Sequence, residues 1–146
     1  MIADDTTLIL KRVFDAPPDA VFNAWLEREV FQSWIGPEGV QCDVPLLEPR
    51  VGGRYRIDMK LSSGTIPVGG EFRVIEKPSR LVFTWGWDGD PARTSLVTLT
   101  FRDAGGKTEF TLKQEGFGTV QDRDAHERGW NPPLNKLAAY LESGRK

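Results

Sequence analysis

The sequence predicts an α+β domain in which a curved antiparallel sheet of about six to seven strands surrounds one long C-terminal helix, with two short helices after the first strand. Two patterns support this prediction. Apolar residues alternate with polar ones between Arg54 and Gln114, which is typical of half-buried strands. Between His126 and Leu141 they recur every three or four residues, as in an amphipathic helix. Because a sheet with one apolar face must cover it, we expect the long helix to pack against that face.

The start of the chain predicts a strand followed by two helices. Residues Thr6 to Phe14 form a short apolar run, and the Ala-Pro-Pro sequence at 16–18 ends that run while favouring the first turn of a helix. Apolar residues then keep helical spacing over 19–34. The charged segment 27–29 interrupts this pattern and predicts a break between two short helices, the second of which ends at Ile-Gly-Pro, residues 35–37.

The middle of the chain predicts the sheet. Its inward face is expected to consist of Tyr55, Ile57, Met59 and Leu61, then Phe72 and Val74, then Phe83, Trp85 and Trp87, then Val97, Leu99 and Phe101, and finally Thr108, Phe110, Leu112 and Gln114. Glycine-rich and proline-rich turn signals separate these runs and favour antiparallel neighbours. Pro67 and the pair Gly69-Gly70 interrupt another strand-like segment, which predicts either an edge position or a bulge that sharpens the curvature.

The long helix is predicted from Thr119 to Leu141, about 35 Å in length. Thr119 and Asp122 form a capping pair at its start, and Gly144 follows the last periodic residue. The proline pair at 132–133 removes two amide donors from the middle of this segment. We therefore expect a kink there, or a helix that begins anew at Asn131.

Composition narrows the range of functions. The 146 residues correspond to one domain, 1–146, with 19 basic and 21 acidic residues and a net charge of −2. This balance gives no basic field to attract nucleic acid or an anionic membrane.

The single cysteine, Cys42, cannot form an internal disulfide, which favours a reducing compartment. The sequence shows neither a signal peptide nor an apolar run that could span a membrane, so we expect a cytoplasmic protein, either monomer or homodimer.

Several short sequence words occur in a characteristic order. They are RVFDAPP at 12–18, VFNAW at 21–25, WIGPEG at 34–39, RVGG at 50–53, PSRLVFTW at 78–85, and Gly129-Trp130 followed by Leu134, Leu137 and Leu141. Together these words resemble the START-like superfamily, also called the helix-grip, birch-pollen-allergen-like or SRPBCC superfamily. More narrowly, the chain is similar to the branch homologous to the C-terminal domain of the heat-shock-protein-ninety ATPase activator (Aha-type).

The resemblance implies a helix-grip fold with an apolar cavity between the sheet and the long helix. Members of the superfamily include lipid carriers, small-molecule binders, aromatase or cyclase enzymes and co-chaperone domains. Because the fold hosts such different activities, it does not settle function. The prolines at 132–133 depart from the usual helix, and they lie in the part that would cover the cavity.

Ten residues are candidates for lining a ligand cavity, because they combine large apolar surfaces with a few polar groups on faces expected to point inward. They are Trp34, Tyr55, Met59, Trp85, Trp87, Phe110, Leu112, Gln114, His126 and Trp130. The aromatic residues, Tyr55 and Met59 are equally compatible with ordinary core packing. His126 is either a polar pocket residue or a structural histidine, and Gln114 is either a pocket residue or a strand end that reaches solvent.

The sequence favours neither a metal nor a cofactor. One histidine and one cysteine do not make a usual zinc site, and the glycine pairs fit no dinucleotide or phosphate-binding spacing. We therefore assign no catalytic residue, no metal and no cofactor from the pattern.

Three hypotheses about function follow. The first is a small soluble domain that binds an apolar or aromatic molecule of unknown identity, with no catalysis assigned. The second, implied by the resemblance, is a co-chaperone-like interaction that modulates a chaperone ATPase, with a role in the stress response. The third is an enzyme of cyclase or hydrolase type that uses His126.

Overall fold

A computed structural model describes residues 7–36, 39–87, 94–117 and 119–143, and only the backbone of Trp87. It confirms the predicted α+β architecture of two short helices after the first strand, a curved antiparallel sheet and a long C-terminal helix. The elements in chain order are β1 (Thr7–Phe14), α1 (Pro18–Leu26), α2 (Arg28–Trp34), β2 (Gln41–Leu47), β3 (Arg54–Leu61), β4 (Gly64–Glu76), β5 (Arg80–Trp87), β6 (Ser95–Asp103), β7 (Thr108–Glu115) and α3 (Val120–Ser143).

The seven strands form one antiparallel sheet in the order β1-β7-β6-β5-β4-β3-β2. Strands β2 to β7 follow one another as a meander, which the short turns between them permit. Strand β1 pairs with β7, with Leu8 opposite Gln114 and Phe14 opposite Thr108. The first strand therefore lies beside the last one, and β1 and β2 form the two edges of the sheet.

The predicted alternation on the sheet is confirmed most clearly on its last two strands. Residues 97, 99 and 101 of β6 and residues 108, 110, 112 and 114 of β7 are all buried, while the residues between them are partly or largely exposed. One face of these strands thus points into the core and the other outward.

The predicted break between the short helices is also confirmed. It lies at Glu27, whose backbone is extended with φ −95° and ψ 115°. The N–H of Glu27 caps α1 by donating to the carbonyl of Asn23, and its carbonyl accepts from the N–H of Phe31 in α2. Helix α1 turns aromatic side chains toward the sheet, as shown by the edge contact of Phe22 with Phe101 at 5.2 Å between ring centroids.

The segment around Pro67 does not lie at an edge of the sheet, so that prediction is wrong. It belongs to β4, which pairs with β3 on one side and β5 on the other. A bulge is present, as the alternative predicted, but it lies between Phe72 and Val74, after the glycine pair. Gly69 and Gly70 have a different role, because a Cβ at either would lie 2.5 Å from the Tyr55 carbonyl oxygen or 1.9 Å from that of Thr84. They allow neighbouring backbones to approach closely in the curved sheet.

The long helix α3 is continuous over its 24 residues, so a new beginning at Asn131 is wrong. The carbonyls that lose their donors to the proline pair at 132–133 belong to Arg128 and Gly129, and both residues are exposed. Water can therefore satisfy these carbonyls. The predicted cap is present, since the N–H of Asp122 donates to Oγ1 of Thr119 over 3.0 Å. Gly144 lies outside the described residues.

The concave face of the sheet and the inner face of α3 form one core. The buried residues of α3 are Trp130, Pro133, Leu134, Leu137 and Leu141. Arg12 fastens this helix to the edge strand β1, because its guanidinium donates to Oδ1 of Asn131 over 2.8 Å and to Oδ1 of Asn135 over 2.9 Å. In the part of the chain that the structure describes, no helix is both long and apolar enough to cross a membrane.

Candidate functional site

A cleft of about 240 Å³ lies between α3, the end of α2 and strands β3 to β5. Its lining is almost entirely apolar and consists of Ile35, Gly36, Met59, Val68, Trp85, Gly86, Ala125, His126, Gly129, Trp130 and Pro133. The cleft is larger than an apolar cavity of about 150 Å³ that takes up benzene. It is therefore large enough for a compact apolar molecule, and its walls match the apolar character of small-molecule sites.

Small residues border the cleft on α3 and at the end of α2. On α3 the cleft is bordered by Ala125 and Gly129, one turn apart, and a Cβ added at Gly129 would meet nothing within 4 Å. At the end of α2, Gly36 adopts φ +97° and packs against Cys42, whose Sγ would lie 2.3 Å from an added Cβ. Only glycine accommodates both this backbone conformation and this contact.

Trp85 and Trp130 form the aromatic wall of the cleft, with ring centroids 5.0 Å apart and planes tilted by 46°. Trp130 is held in place because its Nε1 donates to Oε1 of Gln114 over 2.8 Å. Nε2 of Gln114 in turn donates to Oγ of Ser95 over 2.7 Å, and that hydroxyl donates to the carbonyl of Trp85 over 3.1 Å. This buried chain of hydrogen bonds, which we call the Gln114 network, links α3 to three strands and orients the wall.

His126 is the polar side chain at the cleft. It is partly buried, its ring packs against Phe117 at 4.7 Å, and its Nδ1 lies 2.8 Å from the carbonyl oxygen of Asp122. Because a carbonyl oxygen can only accept, Nδ1 carries the proton in this contact. The neutral ring then presents Nε2 as an acceptor.

The predicted site residues separate into two groups. Met59, Trp85, His126 and Trp130 line the cleft. Trp34, Tyr55, Phe110, Leu112 and Gln114 are buried elsewhere in the core, with Gln114 behind the wall. The side chain of Trp87 lies outside the described residues. Whether any of these residues binds a ligand stays a prediction.

Among the buried side chains, the hydroxyl of Tyr55 has a hydrogen-bond partner and the thiol of Cys42 is unreactive. Tyr55 donates its hydroxyl proton to the carbonyl of Thr84 over 2.5 Å, and burial raises the pKa of Tyr55 well above its ordinary value. Burial also raises the pKa of the Cys42 thiol, which keeps it protonated and poorly nucleophilic.

Sequence reasoning missed two residues that matter at this end of the core. Trp25 lies at the centre of the aromatic cluster, 4.7 Å from the ring of Trp34 and 6.0 Å from that of Trp130. Its Nε1 is the one buried side-chain polar atom without a hydrogen-bond partner among the described residues. Ser95 supports the Gln114 network. Ser95 lies two residues before Val97, so an extension of the period-two pattern of β6 would have pointed to it, but a single serine at the end of a run gives a weak signal.

The described residues contain no group of three or more histidine, cysteine or acidic side chains that could hold a metal ion.

A curved seven-stranded antiparallel sheet around a C-terminal helix, with two short helices after the first strand, defines the helix-grip fold of the START-like superfamily. Within that superfamily, the chain belongs to the family described as activator of Hsp90 ATPase homolog 1-like protein, whose model matches residues 15–142. The resemblance seen in the sequence is thereby confirmed.

Solved structures agree with this assignment. A protein from Chromobacterium violaceum is 28% identical, with a TM-score of 0.87 over 94% of this chain and 97% of that chain. The AHSA1 protein from Silicibacter pomeroyi is 30% identical, with a TM-score of 0.79 over 94% of this chain and 99% of that chain. A protein from Arthrobacter aurescens is 19% identical and shares the fold, with a TM-score of 0.84 over 98% of this chain and 90% of that chain. Comparison with curated proteins finds no match.

Proposed function

We propose that this protein binds a compact apolar or aromatic small molecule in the cleft between α3 and the sheet. The observation that carries the proposal is the cleft itself, about 240 Å³ in volume, walled by Trp85 and Trp130 and bordered by Gly129. A well-packed core leaves few voids larger than a water molecule, so an apolar space of this size is available for a ligand.

The wall is built to keep its shape. Trp130 is anchored at its polar end by Gln114, while its ring faces Trp85. A ligand that stacks on this wall does not need to order it first, which reduces the entropic cost of binding. The volume of the cleft, about 240 Å³, suits a compact apolar ligand.

The experiment that tests this function is a titration with naphthalene, a two-ring hydrocarbon, followed by calorimetry and by the indole N–H signals in NMR spectra. We expect saturable binding that shifts the signals of Trp85 and Trp130. In Gly129→Leu, which adds a large side chain at a residue that lines the cleft, binding should be lost. Ala139→Leu adds the same side chain at an exposed position of the same helix and should bind normally. Absence of saturable binding, or unchanged binding in Gly129→Leu, contradicts the proposal.

A second candidate function is modulation of a chaperone ATPase, which the description of the matching family favours. The test is the ATPase rate of the cognate chaperone with and without this protein. An unchanged rate, together with no complex detected in a pull-down, removes this candidate. The cyclase or hydrolase hypothesis for His126 stays a prediction, as do the cytoplasmic location and the choice between monomer and homodimer.

A further inference from the structure

We infer that the ligand of the cleft is an aromatic or other apolar molecule that carries one hydrogen-bond donor, such as a phenol, and that His126 accepts this hydrogen bond. The inference rests on the proposed function, because it names the chemical class of the ligand bound at the same site. It follows from the tautomer of the His126 ring, which is determined by a backbone carbonyl of the same helix.

The contact at Nδ1 determines the tautomer. Nδ1 lies 2.8 Å from the backbone oxygen of Asp122, which has only lone pairs to offer. The proton of the neutral imidazole is therefore on Nδ1, and Nε2 carries the free lone pair. The ring of Phe117 also packs against the imidazole, with 4.7 Å between the ring centroids, and this contact restricts the rotation of the imidazole.

Nothing else in the described part of the chain uses this lone pair. Nδ1 makes the hydrogen bond that the ring forms with the described residues, and the imidazole also packs against the ring of Phe117. His126 lines the cleft. A hydrocarbon that covered Nε2 would remove water from this acceptor without replacing the hydrogen bond, which is costly. A ligand with a donor at that point avoids this cost.

The other side chains of the cleft cannot provide the same recognition. Those that line it are aliphatic groups, the thioether of Met59 and the indoles of Trp85 and Trp130. Indole groups only donate, and the N–H of Trp130 is already bonded to Gln114. His126 is therefore the strong side-chain acceptor of the described lining, and it selects ligands that donate.

Three probes of nearly equal shape test the inference, namely naphthalene, 2-naphthol and 2-methoxynaphthalene. By calorimetry we expect 2-naphthol to bind about three- to tenfold more tightly than 2-methoxynaphthalene, which keeps the oxygen but lacks the donor. In His126→Phe, which keeps an aromatic ring against Phe117 and removes the acceptor, the two affinities should become equal. Equal affinities in the unsubstituted protein, or a preference for 2-naphthol that persists in His126→Phe, overturn the inference. Failure of all three probes to bind would instead count against the proposed function.

A measurement without substitution covers the case in which His126→Phe does not fold. The chain has one histidine, so its ring nitrogens are assigned without ambiguity. In ¹⁵N spectra of the neutral imidazole, we expect the proton on Nδ1 and a shift of Nε2 on addition of 2-naphthol but not of 2-methoxynaphthalene. A proton on Nε2, or the same response to both probes, overturns the inference.

Discussion

The indole Nε1 of Trp130 donates to Oε1 of Gln114 over 2.8 Å, with both side chains buried. Gln114 has no exposed surface. Its amide oxygen accepts a hydrogen bond from Trp130, and its amide nitrogen donates one to the hydroxyl of Ser95. A fully buried amide is stabilising only when both of its ends are paired. The Gln114 network therefore positions the wall of the cleft and, at the same time, fixes α3 against the sheet.

Replacement of Gln114 by leucine should destabilise the fold by about 1–3 kcal/mol, because the N–H of Trp130 loses its partner inside the core. Trp130→Phe should also be destabilising, since it removes the donor and part of the buried ring. The double variant should lose less than the sum of the single losses, as expected for two groups in direct contact. Urea unfolding of the four proteins measures this coupling. Strict additivity would show that the 2.8 Å contact contributes nothing to stability.

Replacement of Arg12 by methionine should cost about 1–2 kcal/mol, because it removes the charged donor that holds Asn131 and Asn135 on either side of the proline pair. The matched control is Arg102→Met. Arg102 pairs with Glu109 on the exposed surface and should contribute less than about 1 kcal/mol. Hydrogen exchange should become faster in α3 of Arg12→Met and stay unchanged in the control. Equal stability losses in both variants would contradict the anchoring role of Arg12.

The same substitution at two glycines should have opposite effects. Gly129→Ala should stabilise the protein by about 0.5–1 kcal/mol, because alanine favours the helix and its Cβ meets nothing within 4 Å. Gly70→Ala should destabilise it by roughly 2–4 kcal/mol, because the new Cβ would lie 1.9 Å from the carbonyl oxygen of Thr84. Thermal and urea unfolding measure both effects. A stable Gly70→Ala variant would show that β4 and β5 do not approach so closely.

Stability above about pH 10 should depend on Tyr55. Burial raises the pKa of Tyr55, so the folded protein keeps a proton that the unfolded chain releases. This contribution to the free energy of unfolding is fully present below the ordinary tyrosine pKa and falls by about 1.4 kcal/mol per pH unit as the pH rises toward the raised value. The chain has two tyrosines, so in Tyr140→Phe the absorbance of the phenolate reports Tyr55 alone. We expect it to appear only with unfolding.

The control for this pH dependence is the variant with both tyrosines replaced by phenylalanine. The pKa of Lys60 is also raised, through its hydrogen bond to Asp43, and it adds a pH dependence of the same sign. Both proteins retain that pair, so the difference between their unfolding free energies isolates Tyr55. The prediction would be contradicted if the difference in unfolding free energy stayed constant from about pH 9 to about pH 11, a range that spans the ordinary tyrosine pKa.

The sequence determined the architecture because its signals are local. Period-two alternation placed Val97, Leu99 and Phe101 on the inward face, the charged segment at 27–29 separated the short helices, and Thr119 marked the start of α3. Each of these features depends on neighbours within a few residues, so local physical rules suffice. The motif words added the family, which the family match then confirmed.

Tertiary structure decided the site, because a site depends on which residues from distant segments meet. Tyr55, Phe110 and Trp85 all lie on inward faces, yet of these three only Trp85 borders the cleft. Local alternation cannot distinguish them, since it gives the side of the sheet and not the depth below α3. The pairing of Gln114 with Trp130, 16 residues apart, and of Arg12 with Asn131, 119 residues apart, likewise follows only from the packing of α3 in the curved sheet.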